Sequence, residues 1–70
     1  MPKVLRNRFL TIRLQLGYKK SEDFAAFIET GQSQYSRYEN QEVQPSLKKA
    51  IEICMILKKP IEEVFYLDNN

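Results

Sequence analysis

The sequence predicts an all-α fold: one compact domain over residues 1–70, with its core in 3–66 and a tail at 67–70. Three observations carry this. Apolar residues recur at helical spacing through most of the chain. The two glycines and three prolines fall near the ends of those apolar stretches and divide them into five short helices. The second and third helices are separated only by Glu29-Thr30-Gly31, the short break of a helix-turn-helix.

The first helix is expected from about Lys3 to Leu16, with Pro2 suited to a helix start. Leu5, Phe9, Ile12 and Leu16, at i, i+4, i+7 and i+11, make one narrow apolar stripe. Leu10 and Leu14 fall off it, which leaves them to pack on a later helix or at a subunit contact. Gly17 can take the left-handed conformation that closes a helix. After the connector Tyr18-Lys19-Lys20, Ser21 is the expected N-cap of the second helix. Glu22 and Asp23 occupy its first turn, where the helix dipole favours anions, and Phe24, Ala25, Phe27 and Ile28 form its apolar face.

Thr30 or Gly31 caps the third helix, which ends near Asn40. Pro45 disfavours helix at Gln44, so 41–45 reads as a polar loop. Ser46 is the expected cap of the fourth helix, Leu47 to about Leu57, with Leu47, Ala50, Ile51, Cys54 and Leu57 on its core face. Ile53, Met55 and Ile56 carry apolar character round most of its circumference, as in a helix central to the domain or shared with a partner chain. Lys58 and Lys59 complement its C-terminal dipole. Pro60 opens a last short helix, with Glu62 and Glu63 in its first turn and Ile61, Val64 and Phe65 inward.

Composition narrows the function. An apolar share of 43% against 29% charged residues is ordinary for a folded domain and argues against disorder. One cysteine and no histidine exclude an internal disulfide framework and a Cys/His zinc site. Cys54 lies in an apolar segment as a small buried hydrophobe, and a single unpaired thiol fits a reducing cytoplasm. The start lacks the apolar run of a signal peptide, and no segment approaches the ~18 apolar residues of a membrane span. Without histidine, a phosphate-cradling glycine loop or an activated nucleophile, the chain is not expected to be an enzyme. No cofactor, metal or small-molecule ligand is expected. The net charge of +2 conceals an asymmetry: residues 1–20 carry six cations and no acid, residues 21–70 five cations and nine acids. A basic end suggests a polyanionic partner.

The third helix is the most informative stretch. On a helical wheel of ~100° per residue, Tyr35, Tyr38 and Glu39 share one side, while Gln32, Ser33, Ser36 and Arg37 share the other. The second group offers forked hydrogen-bonding ends, one cation and no carboxylate. Gln matches an adenine edge, Arg a guanine edge, and Ser either. This is the chemistry of a helix lying in a DNA major groove, rooted in the fold by its tyrosines.

The string Ser36-Arg37-Tyr38-Glu39-Asn40, with Ala25 before it and Pro45-Ser46-Leu47 and Ile61-Glu62-Glu63-Val64-Phe65 after it, resembles the Xre/Cro-type helix-turn-helix regulators, the lambda-repressor-like DNA-binding domains. The resemblance covers residues 6–66 and implies a five-helix bundle. It implies base-edge contacts from Gln32, Ser33 and Arg37, and base or phosphate contacts from Gln34 and Ser36. Phosphate contacts are expected from Lys19, Lys20, Ser21 and Asn40. Lys48, misplaced for the dipole of the fourth helix, is a further candidate. Arg13 and Glu39 match an ion pair tying the first helix to the third. The chain departs from the family pattern by one extra residue between Gly17 and Ala25, and by Ser21 where Gln commonly opens the second helix. Glu29 and Gln41 stand where glycines are usual, and Glu42 where the family is often basic. The expected partner is double-stranded DNA, read as a homodimer by a cytoplasmic regulator acting as a repressor. The rival is an antitoxin-like or adaptor module that reuses the fold to bind protein.

Overall fold

A computed structural model describes residues 3–69 and runs β1 (Val4–Asn7), α1 (Phe9–Gln15), α2 (Ser21–Phe27), α3 (Gln32–Glu39), α4 (Leu47–Leu57), α5 (Ile61–Val64) and β2 (Phe65–Asp68). Pro2 and the final Asn70 lie outside the described residues. Among the described residues five helices form, but the fold is not strictly all-α: β1 and β2 pair as an antiparallel ribbon, Val4 opposite Asp68 through Asn7 opposite Phe65.

That ribbon corrects two sequence expectations. The first helix starts at Phe9 rather than Lys3, and Leu67 and Asp68 of the expected tail are strand. Asn7 supplies the local reason. Its Oδ1 accepts a hydrogen bond from the Phe9 N–H at 3.2 Å, so a helix-starting side chain stands where helix interior was expected. The ribbon is further held by Arg6 donating to Asp68 at 2.9 Å and by the Arg8 guanidinium lying 4.3 Å from the Tyr66 ring centroid. Leu5 therefore leaves the apolar stripe and is exposed; Leu16, at the C-cap of α1, is exposed too, while Phe9 and Ile12 are buried. Leu10 and Leu14 are exposed as well.

Phe9 is the hub of an aromatic core. Its ring lies 6.0 Å from Tyr35, 6.1 Å from Tyr38 and, edge-on, 5.6 Å from Phe65. Phe24 of α2 meets Tyr35 edge-on at 5.5 Å, so α1, α2, α3 and β2 share one cluster. On α4 the inward residues are Ala50, Ile53, Cys54 and Leu57, spaced i, i+3, i+4, i+7. Leu47 and Ile51, expected on the core face, are exposed, and Ile53 replaces them. Ile61 is exposed rather than inward, whereas Val64 and Phe65 are buried. Burial, with a smaller contribution from Glu62, pushes the Cys54 thiol up and keeps it protonated. Among the described residues, no helix is long and apolar enough to cross a membrane.

The helix ends follow one pattern. After α1, the Tyr18 N–H reaches back to the Arg13 carbonyl and the Gly17 N–H to Leu14; after α2, Thr30 reaches Ala25 and Glu29 reaches Ala26; after α3, Glu42 reaches Arg37 and Gln41 reaches Tyr38. Each is a left-handed closing turn. Glycine supplies it once, at Gly17 with φ 87°; Glu29 with φ 57° and Gln41 with φ 63° supply it on either side of α3. A side chain there is disfavoured by ~1 kcal/mol relative to glycine, so both positions invite a compensating contact. Ser46 caps α4, accepting from the Lys49 N–H at 3.2 Å.

Candidate nucleic-acid interface

The two faces of α3 separate cleanly. Tyr35 and Tyr38 are buried; Gln32, Ser33, Gln34 and Arg37 are exposed, and Ser36 is half-buried. Beneath the helix, the Tyr35 hydroxyl donates to Glu39 Oε1 at 2.6 Å and Arg13 Nε donates to the same oxygen at 2.9 Å. Arg13 and Glu39 are only 11% and 17% exposed, so this pair is poorly screened. Burial, reinforced by the hydrogen bond to the Glu39 carboxylate, pushes the Tyr35 phenol well above its ordinary value. Arg13 Nη1 also donates to the carbonyls of Tyr18 and Lys19, at 3.1 and 2.8 Å. One guanidinium thus ties α1 both to α3 and to the chain entering α2.

At the N-terminal end, Gly31 precedes α3 in extended conformation, and no side chain among the described residues caps the helix. Gln32 Nε2 donates to Ser21 Oγ at 3.3 Å, which joins the starts of α2 and α3 on one exposed surface. Ser21 is the first residue of α2 rather than its N-cap, because Lys20 takes the extended cap conformation. The Ser21 hydroxyl is thereby left for Gln32. Lys19 and Lys20 are exposed beside it. Lys49 Nζ donates to the Glu29 carbonyl at 2.8 Å and pins the turn between α2 and α3, while Lys48 is exposed in the same first turn of α4.

At the C-terminal end, Asn40 is exposed just past the helix. Arg37 Nε lies 3.9 Å from Glu42 Oε1, and both side chains are more than half exposed, at 54% and 58%. Such a pair is worth under ~1 kcal/mol and leaves Arg37 free to exchange partners.

Three amide side chains behind this end escaped the sequence reading. Gln41 Oε1 accepts from the Asn7 backbone N–H at 3.1 Å, and Gln41 Nε2 donates to the Asn7 carbonyl at 3.0 Å and to Asn7 Oδ1 at 3.4 Å. The Gln41 amide therefore pairs with the open edge of β1 as a third strand would. Asn7 Nδ2 donates to the Tyr38 carbonyl and to Gln44 Oε1, both at 2.8 Å. Gln44 Nε2 completes the set, donating to Gln41 Oε1 at 3.0 Å and to the Leu5 carbonyl at 3.3 Å. The signal available beforehand was Gln41 itself, a side chain in a left-handed turn that glycine would fill without strain.

A family model described as helix-turn-helix matches residues 10–64, from the second residue of α1 to the end of α5. A search of curated proteins returns no match to the chain.

Proposed function

The chain belongs to the Xre/lambda-repressor-like helix-turn-helix family of DNA-binding regulators, and from that premise we propose that it binds double-stranded DNA sequence-specifically, with α3 in the major groove. The observation that carries this is the division of α3: two buried tyrosines on one side, and Gln32, Ser33 and Arg37 exposed on the other. Those three side chains meet base edges. Gln34 and Ser36 contact bases or phosphates at the margin, and Lys19, Lys20, Ser21, Asn40 and Lys48 contact phosphates. The shared exposed surface of Gln32 and Ser21 supports this, since it sets a base reader beside a backbone anchor.

Residues 1–70 act as one DNA-binding module, and the setting is the cytoplasm. Its simplest output is occupancy of a site, which represses by excluding other proteins. One such helix reads only a few base pairs, so two copies on half-sites about one turn apart are required. Exposed Ile51, Met55 and Ile61 border a depression of about 450 Å³ between α4 and α5, and this apolar surface is where the second copy docks.

Selection of bound sequences from a random duplex library, followed by a salt titration, tests the reading. The expected result is an enriched two-fold motif, with half-sites roughly 10 base pairs apart. Affinity should fall steeply as salt rises, with a slope set by the number of phosphates neutralised. An unenriched pool with salt-insensitive association would overturn it.

A further inference from the structure

We infer that Asn7, Gln41 and Gln44 form an amide clamp that positions the C-terminal end of α3, and with it Asn40, against a DNA phosphate; this rests on the DNA-binding reading above. The network is unusually complete. Both Nδ2 hydrogens of Asn7 are donated, to Tyr38 and Gln44, and Asn7 Oδ1 accepts from Phe9 and Gln41. Gln41 Oε1 accepts from the Asn7 N–H and from Gln44, while its Nε2 serves the Asn7 carbonyl and Oδ1. The Asn7 backbone dictates which way the Gln41 amide points, and that orientation dictates the Gln44 amide. A connected set of this kind has one arrangement, and it resists sliding in a way that apolar contacts do not.

The clamp also explains the left-handed residue after α3. Glycine at 41 would relieve the backbone at φ 63° but would leave the Asn7 N–H and C=O without their side-chain partner. The residue present accepts backbone strain and gains a fixed register between β1 and the last turn of α3. Asn40 lies between Gln41 and the helix, and the Arg37 carbonyl accepts the Glu42 N–H at 2.9 Å. The exposed Asn40 side chain thus stands on backbone that the clamp holds. The clamp lies behind α3 rather than on its outward face, so these three are positioning residues. Their effect falls on phosphate contact, not on the base preference set by Gln32, Ser33 and Arg37.

The test compares wild type with Gln41→Gly and Gln44→Met on two duplexes: the one recovered by selection and one of mixed sequence. Each is titrated over a salt series, with the thermal midpoint measured alongside. Gln41→Gly relieves the left-handed turn and is expected to stay folded; Gln44→Met keeps side-chain length and removes only the amide. The clamp predicts that each variant, folded, loses roughly tenfold in affinity on both duplexes alike, as expected when one hydrogen bond to a charged phosphate is lost. The ratio between duplexes should hold, and the salt slope should stay that of wild type, because Asn40 carries no charge. Variants that melt earlier yet bind both duplexes like wild type would make the network purely structural and overturn the inference. So would a change confined to the preference between duplexes. If wild type itself binds neither duplex at low salt, the DNA-binding reading fails first and takes the clamp's role with it.

Discussion

At its N-terminal end α3 starts on Gly31 and is linked sideways by one exposed hydrogen bond, Gln32 to Ser21 at 3.3 Å; at its C-terminal end the Tyr38 carbonyl, the Gln41 turn and the Gln44 loop are bound to β1 through a half-buried amide network. Both ends are bracketed by left-handed residues that are not glycine. At Glu29 the support comes from outside, from Lys49 Nζ on the backbone carbonyl; at Gln41 the residue's own side chain supplies it. The contrast teaches a division of labour. On the proposed reading, the end that meets base edges is held lightly, and the end that sets the helix over the DNA backbone is held rigidly.

The sharpest way to break that contrast is Asn7→Ala. It strips Tyr38, Gln41, Gln44 and Phe9 of their shared partner at a buried position. Thermal denaturation should show a loss of roughly 3 kcal/mol, a midpoint lowered by more than about 10 °C. Gln32→Ala should stay within about 0.5 kcal/mol of wild type. Equal losses at the two ends would remove the asymmetry.

Arg13→Ala probes the middle of the helix. It leaves Glu39 shielded with only Tyr35 as donor and frees the Tyr18 and Lys19 carbonyls, so a loss of about 2 kcal/mol is expected in denaturant unfolding. Gln32→Ala, though neutral in stability, should relax base preference at one position by about 1–2 kcal/mol, read by competition among single-base variants of the selected duplex.

Tyr35→Phe carries a pH signature. The folded state holds the Tyr35 proton more tightly than the unfolded chain does, so this stabilisation is complete below about pH 10, the ordinary phenol value, and falls as pH rises beyond it. The variant should be about 1 kcal/mol less stable near neutrality. The gap between it and wild type should narrow in unfolding titrations above that pH. Smallest of all, Glu42→Gln removes a carboxylate 3.9 Å from Arg37, and should tighten duplex binding by roughly threefold at low salt.

Much of this architecture is legible in the chain because helical periodicity is a local signal. Phe24, Ala25 and Ile28 on one side of the break, and Tyr35 and Tyr38 on the other, announce α2 and α3 without knowledge of anything distant. β1 and β2 are invisible to the same logic. Each is four residues long and its partner lies some sixty positions away. Leu5 and Phe9, at i and i+4, happen to imitate the next turn of a helical stripe. The Arg13–Glu39 contact follows from a motif position. The amide clamp joins Asn7, Gln41 and Gln44, which become neighbours only once the ribbon is closed. Ser21, a good cap by type, was drawn into pairing with Gln32 instead.

The most direct test of the outward-facing α3 is amide chemical-shift mapping of the labelled protein titrated with the selected duplex. The account predicts the largest shifts at 19–21, 32–37 and 40, with β2 and the inward residues of α4 nearly still. Shifts centred on α4 and α5 instead, with the amides of 32–37 unmoved at saturation, would contradict it.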